Sequence, residues 1–414
     1  MPRSRHRRKG RTRRTPRAPQ PAAGMGSRSR RDVVLDANRP WLRRMLAVDA
    51  AETQGDAEGA LALIEDMPLG PDGRPWWRPE RVRRLRQLAI LGGDAPEWVI
   101  RRWVVAQAAQ ATPGRPLEAV DVAVHTRGGG STLWGVDHDD ARSKVIDHDW
   151  VFRQLVLHEH GGLAAFVDRV ATPALLGRAG DMRSWIGVPM GGFELLAETS
   201  DRIVWRDLAS TQTVETVNLG GAAMMAIGEA ALGRVVSAGD VHLFESAPLC
   251  VPIDVAREVA ARPSGWVDAL GRASRGVHGE ALSALVARMH HFDLLFDIPA
   301  TLRRHLIEPP DPELRSDQVG SGGNGVEYDV ALVLAAMSGE LQPDDVECTC
   351  GECDDPRPVG SLVAAALLEP GTLDALTSLL VSSDAAVLRA LEQTLVAPAD
   401  VVCRRIRARL DVAA

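Results

Sequence analysis

The chain is 414 residues long, 45% hydrophobic, and carries a formal charge of −7. That is enough apolar material for two or three domains with cores of their own, and no run reaches the ~18–20 apolar residues of a membrane-spanning helix. The charge is unevenly placed: residues 1–31 hold twelve Arg and Lys side chains and no acid, which leaves −19 on the rest. A body so acidic repels nucleic acid, so a polyanion partner has to be held by residues 1–31 or by a local patch.

Residues 1–31 combine low hydrophobicity, high net charge and several prolines, so they are expected to form a disordered basic arm. Its preference for Arg says little about bidentate recognition, because Lys9 and Lys144 are the only lysines in the chain. Such usage is that of a GC-rich genome, and Met25, which opens MGSRSRRDVVLD, offers a second start that would remove most of the arm. The Arg30-Arg31 pair faintly resembles a twin-arginine export signal. Asp36, Arg39, Arg43 and Arg44 interrupt the apolar segment such a signal needs. Three of the five cysteines fall within six residues, unlike a secreted disulfide framework. A cytoplasmic protein with no membrane partner is expected.

Beyond the arm, residues 32–187 read as a helical region, with helices near Gly55–Glu65, Glu80–Leu91, Pro96–Ala111 and Trp150–His160. No second copy recurs at a fixed period, so a repeat array is not expected. Residues 188–252 change texture. The β-rich runs Phe193–Ala197, Arg202–Leu208, Thr213–Leu219, Arg234–Ser237 and Val241–Phe244 are separated by the turn-like AETSD, ASTQ and SAGD. They predict a small antiparallel meander or barrel. A helical extension over 253–307, a Pro- and Gly-rich linker over 308–325 and a helical C-terminal segment over 326–414 complete the chain. The expected fold is α+β and predominantly helical.

The runs HDWVFRQLVLHEHGGL (His148–Leu163), SWIGVPMGGFELL, WRDL and LFESAPLCVP together resemble a group of uncharacterised actinobacterial hypothetical proteins. The resemblance covers roughly residues 140–270. It implies a helical core with a small β module and carries no assigned activity.

Two clusters carry chemistry. Asp137, His138, Asp139, Asp140, Asp147, His148, Asp149, His158, Glu159 and His160 suggest a metal-dependent phosphohydrolase centred on His148 and Asp149. Simpler roles account for most of them: Asp149 is placed to cap the helix beginning at Trp150, His158 lies in its last turn, and Gly161-Gly162 end it. Nine residues of helix also separate Asp149 from His158 by about 13 Å, too far for one metal ion. The second cluster is Cys348-Thr349-Cys350-Gly351-Glu352-Cys353. Its Cys-x-Cys and Cys-x-x-Cys spacings suit a structural zinc ion, with Cys403 as fourth ligand and Cys250, His290, His291 or His305 as alternatives. A redox centre and unliganded thiols fit the same residues. His125–Thr132, with three successive glycines, lacks the Lys-Ser/Thr ending of a phosphate loop and reads as a connector.

Two helices concentrate arginine: Arg78, Arg81, Arg83, Arg84 and Arg86 on one, Arg404, Arg405, Arg407 and Arg409 on the last. Interleaved apolar positions favour ordinary solvated faces, with a nucleic-acid or acidic-partner surface as the alternative, and no helix-turn-helix or RNA-recognition signature accompanies them. Three functions follow, in order of preference. The first is a non-enzymatic interaction or scaffold protein with a protein partner. The second is a nucleic-acid- or ribosome-associated protein tethered by residues 1–31. The third is a metal-dependent hydrolase around His148 and Asp149.

Overall fold

The structure is a computed structural model that describes residues 39–67, 75–111, 117–126, 149–276 apart from Met224, 324–341 and 360–413, with 69, 142, 145 and 146. Several expectations lie outside the described residues: the arm, most of the 308–325 linker, the glycine run, Asp137–Asp140, Asp147, His148 and the Cys348, Cys350, Cys353 cluster. The chain divides into two compact units, Met1–Leu46 and Ala47–Ala414. The described part of the first is the start of α1 (Arg39–Thr53).

The second unit is α+β and mostly helical, as the sequence predicts. Helix α2 (Ala57–Glu65) starts where the Asp56 carboxylate accepts the Gly59 N–H at 2.8 Å, and it buries Ala57, Ala60, Leu61 and Ile64. Pro79 opens α3 (Pro79–Leu91), a position where its missing N–H costs nothing. Helix α4 (Glu97–Ala111) is buried over Trp98–Ala108, including Arg101 and Arg102. It precedes α5 (Leu117–Thr126), α6 (Trp150–Gln154), α7 (Gly162–Arg169) and α8 (Pro173–Ala179). Both α7 and α8 pack on α4.

Seven strands follow: β1 (Gly191–Glu198), β2 (Arg202–Asp207), β3 (Thr213–Val217), β4 (Ala230–Gly233), β5 (Val235–Ala238), β6 (Val241–Phe244) and β7 (Leu249–Val251). Five form an antiparallel sheet in the order β3-β2-β1-β4-β7, and β5 pairs with β6 as a separate hairpin. The three turns were legible and β1, β2, β3 and β6 fall where the β-rich runs place them. Of the meander or barrel expected, the antiparallel sheet is present and open, not closed into a barrel. Strands β4 and β7 escape the sequence pattern for a physical reason. All four β4 residues are buried, so no polar alternation marks it, and β7 has only three residues.

The sheet is covered on both faces. Alternation along β4 sends Ala230 and Leu232 to one side and Ala231 to the other. On the first side they meet Trp150 and Val151 of α6, Val255 and Val259 of α9 (Ile253–Ala261) and Trp266 of α10 (Trp266–Arg275). The β module therefore shares its core with helices from both flanks. On the second side Phe244 stands edge-on to both Phe193 and Trp205, with ring centroids 5.3 and 5.2 Å apart. Helix α9 lies so close to β1 that a Cβ on Gly192 would sit 2.1 Å from the Ala256 carbonyl oxygen, so only glycine fits.

The C-terminal segment is helical as expected: α11 (Asn324–Ser338), α12 (Gly360–Leu367), α13 (Thr372–Leu379), α14 (Ala385–Thr394) and α15 (Ala399–Ala413). Every residue of α12 is buried. Arg405 of α15 donates to the carbonyls of Ile90 and Leu91 at the end of α3, and Arg83 pairs with Glu369 at 2.6 Å. Among the described residues no single helix is long and apolar enough to cross a membrane. The pair α12–α13 has the composition for it but is bent by 91°, and α12 is bundle core.

Candidate functional site

Among the described residues, buried titratable side chains concentrate where α6 meets the β module. Asp149 starts it: its carboxylate accepts the Phe152 N–H at 2.8 Å and is 5% exposed, so the capping role predicted from sequence is the one it performs. Trp150 Nε1 then donates to the Ala247 carbonyl at 2.9 Å, tying the helix to the loop before β7. After Gln154 the helix widens into a π turn over Leu155–Glu159, closed by the His160 N–H on the Leu155 carbonyl at 2.9 Å. Gly161, at φ 68°, ends it in the left-handed region, where glycine carries no Cβ penalty.

Gln154 and His158, four residues apart, share a face that looks at Glu245, just beyond β6. The Gln154 amide donates to Glu245 Oε2 at 2.9 Å and to the Ser246 hydroxyl at 3.2 Å, while its oxygen accepts from Arg234 Nε at 2.8 Å. Arg234, between β4 and β5, extends the chain outward. It pairs with Glu159 at 2.7 Å and donates to the Val188 carbonyl. Glu159 also accepts from Trp266 Nε1 at 3.0 Å and, with 42% of its side chain exposed, forms the outer end of the network. Arg102 of α4 closes the inner side: it donates to the Phe244 carbonyl at 2.5 Å and lies over the Trp98 ring at 5.8 Å.

Burial dominates the electrostatics of this seam. It pushes the Glu245 carboxyl up, but the His158 imidazole, the Arg153 guanidinium and the Gln154 amide outweigh it and hold Glu245 well below the usual carboxylate range. Burial pulls Arg153 down, offset by Glu245 and reinforced by Arg102, and pulls Arg234 down against Glu159 and Glu245. His158 Nε2 lies 3.8 Å from Glu245 Oε2, beyond hydrogen-bond reach, and neither ring nitrogen has a partner among the described residues. The His158 side chain is 3% exposed and that of Glu245 1%. An acid and an imidazole side by side have the chemistry of a proton-transfer pair, but a substrate must reach them. Here the protein surrounds both.

No family model, curated protein or solved structure matches the chain.

Of the residues singled out from sequence, Asp149, His158 and Glu159 belong to this region. They do not form one constellation, since Asp149 caps the helix start while His158 and Glu159 occupy the π turn at its end. Sequence reasoning missed Arg102, Arg153, Gln154, Arg234 and Glu245. The only signal was that the runs His148–Leu163 and Leu243–Pro252, singled out together in the sequence, are two that meet here. Cys403 is a free, buried thiol on α15. Burial, with Glu392 and Asp400 and against Arg407 and Arg404, pushes it up to about 12. Cys250, half-buried on β7, is likewise pushed up to about 12 by burial and Glu229. No group of three or more potential metal ligands occurs among the described residues.

The arginine-rich helices are largely engaged with acids of the same chain. Arg81 pairs with Asp49 and Glu52 at 2.5 and 3.1 Å, Arg83 with Glu369, Arg404 with Asp400 at 2.9 Å and Arg407 with Glu392 at 2.7 Å. Guanidiniums held this way are poorly placed to follow a phosphate backbone.

Proposed function

We propose that this is a non-enzymatic interaction protein, in which the helix-and-sheet body is a rigid support and the working surfaces lie outside the buried seam. The observation that carries this is the enclosure of Glu245 and His158, whose side chains are 1% and 3% exposed. A site for turnover needs groups that touch the reactant. The seam instead fastens α4, α6, the β module and α10 to one another. In-cell crosslinking should recover a partner in stoichiometric amount, and the complex should reassemble from purified components. Turnover of a phosphoester, lost in both His148→Ala and Asp149→Ala, would overturn this and restore the metal-dependent hydrolase.

A structural zinc ion remains part of the proposal, on the spacing of Cys348, Cys350 and Cys353. The protonated, buried Cys403 is a weaker fourth ligand than its position in the sequence suggests. Elemental analysis should find near-stoichiometric zinc that is lost in Cys350→Ser and kept in Cys403→Ser. Metal-free protein of normal stability would refute it.

A further inference from the structure

We draw no further inference here: the strongest candidate, the enclosed side-chain cluster of His158 and Glu245 between the π turn and the end of β6, belongs to the site already described, and nothing in the structure shows what would reach it.

Discussion

The seam between α6 and the β module and the bundle around α12 are both buried, and they are held by different physics. In the seam, Gln154, Arg234, Glu245 and Glu159 are joined to one another through directional bonds of 2.7–2.9 Å. In the bundle, α12 is buried on all sides by Leu, Val and Ala, and α14 sends Leu388 and Leu391 inward. Apolar burial is non-directional and roughly proportional to area, so changes of shape that conserve volume are tolerated. A buried ion and its partners are not, because removing one leaves another without solvent or counter-charge. The difference teaches which half of the molecule has a unique geometry to lose.

Breaking the seam at its most buried acid should have the largest effect. Glu245→Ala leaves Arg153 and the Gln154 amide without their carboxylate, and should cost about 3–5 kcal/mol in urea unfolding. A loss under about 1 kcal/mol would mean that the seam adds nothing the bundle lacks. The direct comparison uses one replacement in each region. Gln154→Met keeps the volume but orphans Arg234 Nε and leaves Glu245 Oε2 with only the Ser246 hydroxyl as hydrogen-bond donor, for about 2 kcal/mol or more. Leu388→Met, at a fully buried bundle position, should cost less than about 1.5 kcal/mol. Equal losses would erase the contrast.

Acid sharpens it further. Because Glu245 is held below its ordinary range, its contribution is complete above the unfolded-state pKa of about 4.3 and is lost as pH falls towards the folded value. Stability should therefore drop steeply below about pH 4, and Glu245→Gln, less stable at neutral pH, should show a shallower drop. Parallel pH profiles would refute the assignment. The smallest effect belongs to the surface. Arg409 and Asp374 are 3.6 Å apart with side chains 52% and 86% exposed, and Arg409→Ala should change stability by no more than about 0.5 kcal/mol.

What could be anticipated follows a simple division. The Asp149 cap, the helices α2–α4 and the strands β1–β3 depend on neighbours within a few residues, so their signals are written locally. Strand β4 is local in sequence but lacks a pattern, since a strand buried on both faces and a buried helical turn look alike. The seam is invisible at that range: Gln154 meets Glu245 across 91 residues, Arg234 meets Glu159 across 75, and Trp266 meets Glu159 across 107. His158 was noticed beside the wrong companions. Histidine and acid neighbours in sequence drew attention, whereas its neighbour in space is a glutamate that follows β6.

Composition, charge segregation and apolar periodicity by themselves determined a basic first segment, an acidic helical body and a β-rich insert. These are sums and short-range patterns, and a chain carries them whether or not it is folded. The tertiary structure alone decided that the arginines of α3 and α15 are largely engaged with the chain's own acids, that the β insert shares its core with both flanking helical segments, and that Glu245 is enclosed. Each depends on which distant groups are brought within a few ångströms in a medium from which water has been removed, where charge and hydrogen bonding have their largest effects.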